Sequence, residues 1–75
     1  MTNRILIVDD EPDIRELLEI TLGRMSLTTS SAEDLASARH LLSTESFNLC
    51  LTDMRLPDGD GIELVEYIQK EYNQI

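Results

Sequence analysis

Arg4-Ile5-Leu6-Ile7-Val8 is a short run rich in β-branched residues that stops abruptly at Asp9-Asp10-Glu11-Pro12. A strand with apolar side chains on both faces must be covered on both faces, which is the situation of strands in parallel sheets. Phe47 to Thr52 is a second run of this kind, and it stops at Asp53. Helical patterns separate and follow these runs. Proline at a first helical position and acids at the positive end of the dipole predict a helix from about Pro12 to Leu22. Its apolar period is kept by Ile14, Leu17, Leu18, Thr21 and Leu22, and Gly23 is the expected stop. A weak strand is expected near Leu27-Thr28-Thr29. Ser30 and Glu33 form a capping-box pattern that opens a second helix to about Leu42, with Leu35, Ala38, Leu41 and Leu42 as its buried stripe. After Asp53, Pro57, Asp58, Gly59, Asp60 and Gly61 predict a loop, and a third helix follows with Ile62, Val65, Ile68 and Tyr72 on one face. Tyr72-Asn73-Gln74-Ile75 reads as the end of that helix. The order β-α-β-α-β-α implies an α/β fold with right-handed crossovers and strand order 2-1-3, the third strand lying at an edge.

With 75 residues, of which 41% are hydrophobic, the chain suffices for one small globular unit. A fold of this size buries only about 60% of its unfolded surface. Cys50 is the one cysteine, so neither an internal disulfide nor a cysteine-based zinc site is available. The start, Met1-Thr2-Asn3-Arg4, leads into too few apolar residues for a signal peptide, and no run approaches a membrane span. A reducing, cytoplasmic setting is the expectation. Fifteen acids against six bases give a net charge of −9. That excludes nucleic-acid binding by this segment, because too little is basic to neutralise phosphates. Evenly spread, such acids would serve only solubility, but they are not evenly spread.

Two strands end in aspartates, Asp9-Asp10 and Asp53. In open α/β sheets ligands bind beyond the carboxyl ends of the strands. Neighbouring strand ends lie about 5 Å apart, where two carboxylates repel by about 3 kcal/mol at an effective dielectric of 20. Three such groups call for a cation, and oxygen-only carboxylate ligands suit Mg2+ or Mn2+. A carboxylate beside such an ion can act as a nucleophile towards phosphorus.

Ile5-Leu6-Ile7-Val8-Asp9-Asp10-Glu11-Pro12 resembles the opening of the receiver domains of bacterial two-component response regulators, and Leu51-Thr52-Asp53-Met54-Arg55-Leu56-Pro57-Asp58-Gly59-Asp60-Gly61 resembles their phosphorylation loop. The likeness extends over the whole chain, and the Met-Arg-Leu-Pro segment is most similar to regulators that activate alternative-sigma-factor promoters. The resemblance implies a flavodoxin-like, CheY-like fold and makes Asp53 the phosphoacceptor. Asp10 would ligate Mg2+ directly, and Asp9 through water or as a second ligand. The backbone carbonyl of Arg55 would complete the protein's share. Pro57 and Gly61 would shape the loop, with Glu11 flanking the pocket. A sensor histidine kinase would be the phosphoryl donor, and an output domain in the same parent chain, with a transcriptional role, would be the recipient of the switch. The family fold has five strands in order 2-1-3-4-5. Three βα units take up 75 residues here, so five would need about 125. Residues 1–75 are therefore expected to form a partial receiver domain. The last two units, with the family's switch Ser/Thr and phosphate-binding Lys, are expected to be missing. Lys70 falls too late in the third helix to replace that lysine.

Other residues admit plainer readings. His40 lies on an ordinary helix without partner ligands and is expected to be solvated. Cys50 reads as a small core residue. Asp58 and Asp60 lack the spacing of a calcium loop and suit turn and N-cap positions. Ile14 and Leu17 are either core or part of the first-helix surface that docks a kinase in this family. A second functional reading, of a different class, takes the 75 residues by themselves as a self-associating module without phosphotransfer, a homodimer formed through the third-strand edge that a fourth strand would cover in the whole receiver.

Overall fold

β1, Arg4–Val8, is the centre of a three-stranded parallel sheet, with β2 (Thr28–Ala32) on one side and β3 (Leu49–Thr52) on the other. The order β2-β1-β3 is the one expected from right-handed crossovers. In register, Val8 lies level with Ala32 and with Thr52, so all three strands end together. The computed structural model describes residues 3–72 and 75; Met1, Thr2, Asn73 and Gln74, which figured in the readings of the two chain ends, lie outside the described residues. No helix is long and apolar enough to cross a membrane among the described residues.

Alternation along β1 divides the core between two faces. Leu6 and Val8 join one cluster with Leu35, Ala38 and Leu42 of α2 (Leu35–Thr44) and Leu64 and Ile68 of α3 (Gly61–Glu71). Ile5 and Ile7 are equally buried but lie outside that cluster, on the face where α1 (Pro12–Arg24) packs against β2 and β1. Arg39 of α2 stands over the Tyr67 ring of α3, 5.1 Å from its centroid, and ties the two helices of the first face together.

Several element boundaries depart from the sequence reading. α1 continues through Gly23 to Arg24, and the residue with positive φ is Ser26 (62°). The amides of Ser26 and Leu27 donate to the carbonyls of Gly23 and Leu22, the Schellman pattern with serine where glycine is usual. β2 runs to Ala32, so Ser30 is a strand residue, not a cap. The helix is opened instead by Asp34, whose carboxylate accepts from the Ser37 amide at 2.8 Å. Pairing with β1 accounts for the shift, since each strand residue gained up to Ala32 adds to the parallel ladder. β3 is shorter than Phe47 to Thr52, although Phe47 itself is buried. As an edge strand it is not covered on both faces, and Leu49 is 48% exposed. The loop after Asp53 contains a two-stranded antiparallel hairpin, β4 (Arg55–Leu56) and β5 (Gly59–Asp60). α3 buries Gly61, Leu64 and Ile68; Ile62 and Val65, expected inside, face outward. α1 buries no residue fully, and Ile14 and Leu17 are exposed, which removes them from the core of this chain.

Candidate functional site

The common end of the strands brings the chain's three candidate aspartates together. The Asp9 amide donates to the Ala32 carbonyl at 3.0 Å, and the Asp53 amide donates to the Val8 carbonyl at 2.9 Å. These bonds extend the sheet ladder one residue past β1 and β3, so Asp9 and Asp53 leave adjacent strands at the same level. One carboxylate oxygen from each of Asp9, Asp10 and Asp53 lies within 4.8 Å of the others. At such separations each pair of charges costs about 3 kcal/mol at an effective dielectric of 20. Among the described residues the ion pair is Arg4–Glu45, at the opposite end of β1, so none of the three acids is neutralised by a basic side chain. Clustered oxygen donors with uncompensated charge fit a small divalent cation.

The acidic turn is held by backbone contacts that leave carboxylate oxygens free. Asp9 Oδ1 accepts from the Glu11 amide at 2.9 Å, which fixes the turn into α1. Arg15, one turn into that helix, donates from its guanidinium to the Asp9 carbonyl at 2.7 Å. It grips the main chain beside the site rather than a carboxylate. Sequence reasoning passed over Arg15, because an arginine on a helix flank carries no signal of its own. Glu11 flanks the turn as the residue before α1, and its side chain makes no capping bond.

On the other side, Thr52 Oγ1 donates to the Asp53 carbonyl at 2.9 Å, and the Gly61 amide donates to the Met54 carbonyl at 2.9 Å. A Cβ on Gly61 would run into the Asp53 carbonyl and come within 3.2 Å of Met54 Cα. Glycine is thus required where α3 starts, by the closeness of the chain that carries Asp53. Asp60 caps α3 by accepting from the Glu63 amide at 2.8 Å, as its position suggested. Asp58 does more than turn the chain. Its two carboxylate oxygens accept from the Leu35 and Ala36 amides of α2, at 2.8 and 3.1 Å. The hydrogen bond from Leu35 leads in holding its carboxyl below the usual carboxylate range. Arg55 is an exposed residue of β4, paired with Asp60.

The remaining candidates lie away from this cluster. His40 is exposed on α2. Cys50 is half-buried against the core, and burial pushes its thiol up to about 11, so it stays protonated at neutral pH. Lys70 is exposed in the last turn of α3.

Comparison with known proteins agrees with this arrangement. Response regulator protein PilR of Pseudomonas aeruginosa is 68% identical over 71 residues, covering 95% of this chain and 16% of PilR. The response regulator TrrA of Thermotoga maritima, crystallised in complex with Mg2+-BeF, superposes with a TM-score of 0.91 at 33% identity, over 96% of this chain and 63% of that one. The beryllofluoride-activated NtrC4 receiver domain dimer gives a TM-score of 0.87 at 28% identity, over 93% of this chain and 58% of that one. The chain thus spans about a sixth of PilR and about three-fifths of these solved receivers. The response regulator receiver domain family matches residues 5–75, and with three aspartates gathered at the ends of β1 and β3 of a β2-β1-β3 sheet, the chain belongs to that family.

Proposed function

We propose that these residues are the phosphate-accepting part of a receiver module in a two-component response regulator. Asp53 is the acceptor. Its carboxylate oxygen forms the new P–O bond while the P–N bond to a phosphohistidine of a sensor kinase breaks and the imidazole leaves. Asp9, Asp10 and Asp53, with the backbone carbonyl of Arg55, hold Mg2+ or Mn2+. When bound, the cation offsets the negative charge of the carboxylates and the phosphoryl oxygens. Arg15 and the Asp9–Glu11 turn orient the acidic pair, and Gly61 lets the Asp53 segment lie against the start of α3. The role is signalling in the cytoplasm rather than metabolism. The partner on the output side is a domain in the parent chain, with transcription at an alternative-sigma-factor promoter as the controlled step. The observation that carries this reading is the convergence of three unneutralised carboxylates within 4.8 Å at the strand ends. The Mg2+-BeF bound by TrrA supports it from outside.

A second reading, self-association through the β3 edge, is favoured by the exposure of Leu49 on that strand. The beryllofluoride-activated NtrC4 receiver domain is a dimer, a precedent for self-association of such domains and not for this edge.

The test of the first reading is a thermal melt with increasing Mg2+. Ligand that binds only the folded form raises its stability as ln(1 + [L]/Kd). The midpoint should rise with Mg2+ in the wild-type chain and stay flat in Asp10→Ala. In the whole regulator, acyl phosphate should appear with a phosphodonor and be lost in Asp53→Asn. A midpoint indifferent to Mg2+, or one that rises equally in Asp10→Ala, would refute the shared site.

A further inference from the structure

The hairpin that follows Asp53 has only two residues in each strand. A ribbon that small does not order itself in water, yet it carries Arg55 two positions after Asp53. It is fixed from outside at its start and its tip, and its two arms are tied together at the base. Asp53 is bonded to β1 at its start, and Gly61 is bonded to Met54 at its end. At its tip, Asp58 takes the Leu35 amide on one carboxylate oxygen and the Ala36 amide on the other.

These contacts divide the cap of α2 between two segments. The helix supplies its own N-cap, Asp34, for the Ser37 amide. The two preceding first-turn amides are left to a carboxylate 22 and 23 positions further along the chain. Packing reinforces the joint. Leu56 of β4 is buried in the same cluster as Leu35, and Gly59 lies so close to Leu35 that a Cβ there would overlap its Cδ1. An anionic group at this end of a helix is also favoured by the helix dipole.

We propose that Asp58 is a positioning residue, clasping the hairpin after Asp53 to the first turn of α2 and thereby fixing the Arg55 main chain beside the three aspartates. It touches neither the cation nor the phosphoryl group. Its effect is transmitted through the hairpin backbone, as outer partners of a metal site act through the ligands they orient. The functional side of this inference rests on the metal reading above; the clasp itself does not.

The test is Mg2+ titration of the 75-residue chain by calorimetry, with amide hydrogen exchange on the same variants. Asp58→Ala should raise the Mg2+ dissociation constant about tenfold, with faster exchange at Leu35 and Ala36. Asp58→Asn keeps one acceptor and should fall between it and wild type. It carries the comparison if the alanine variant does not fold. Asp34→Ala removes the other cap of the same helix, so a role limited to helix stability predicts an equal loss of affinity there. Positioning predicts a lower melting midpoint in Asp34→Ala with Mg2+ affinity close to wild type. Equal affinity in wild type and Asp58→Ala, or an equal loss in Asp34→Ala, overturns the proposal. No Mg2+ uptake by wild type overturns the metal reading and the positioning role with it. Unchanged exchange at Leu35 and Ala36 in Asp58→Ala overturns the clasp alone.

Discussion

At the scale of single residues, what could be read from the sequence depended on whether a residue's role is set by its own strand or by a distant one. The convergence of Asp9, Asp10 and Asp53 was legible because Asp9 and Asp53 directly follow strands and Asp10 comes next, and parallel strands that end together present their following residues at one place. Asp58 was not, because its partners Leu35 and Ala36 are brought to it only by the packing of a hairpin on a helix. Gly61 lies between these cases. Its place at the start of α3 was expected, but the reason for glycine appears only in the approach of the Asp53 carbonyl. Backbone on both sides leaves no flexible side chain to give way. Gly61→Ala should therefore destabilise the chain by about 1–3 kcal/mol, the range for overpacked sites. It should also weaken the Mg2+-induced rise in melting midpoint, since the segment pushed aside carries Asp53. A Gly61→Ala chain that melts and responds to Mg2+ as wild type does would show that the two segments separate without cost.

Among the elements, type was easier to read than extent. All three helices, β1 and β3 exist where apolar patterns placed them, β2 was expected mainly from its place between two helices, and the two-residue strands β4 and β5 were hidden inside a turn-rich segment. β2 has polar serines and threonines and is fixed by its ladder with β1, so its length followed tertiary pairing rather than its own composition. The outward side of α3 misled in a different way. Ile62 and Val65 keep the helical period with Ile68, but Gly61, Leu64 and Ile68 form the stripe that meets the core. The end of α1 shows a local preference overridden. Gly23 remains helical, and Ser26 takes the left-handed position at φ 62°. A non-glycine residue there costs about 1–2 kcal/mol in backbone sterics. Ser26→Gly should recover on the order of 1 kcal/mol of this, less the extra freedom glycine gives the unfolded chain. For a domain of this size that is a rise of about 4–8 °C in melting midpoint. Ser26 is exposed and remote from the aspartates, so Mg2+ affinity should not change. An unchanged or lower midpoint would mean that serine's side chain repays its backbone strain.

For the 75 residues taken by themselves, alternation of strand and helix led to the order β2-β1-β3, which leaves β3 with a neighbour on one side only among the described residues; in the family order 2-1-3-4-5 a fourth strand takes the other side. An edge strand offers unpaired backbone groups to any second chain. The strand is apolar in part: Leu49 on β3 is 48% exposed. Covering such a side chain is worth on the order of 1 kcal/mol, which counts heavily in a chain with so small a core. A two-fold pairing of β3 strands, antiparallel across the axis, would satisfy the backbone and cover Leu49 in a closed dimer. Charge opposes it, since each chain carries −9 and pairing brings both sets together. Screening weakens that repulsion over about 10 Å at 0.1 M salt, so association should strengthen as salt rises. Sedimentation equilibrium at several salt concentrations should show a monomer–dimer mixture shifting towards dimer, and a lysine in place of Leu49 should shift it back. A monomer at all salt concentrations, with slow amide exchange from Leu49 to Thr52, would mean that the edge is protected within a single chain.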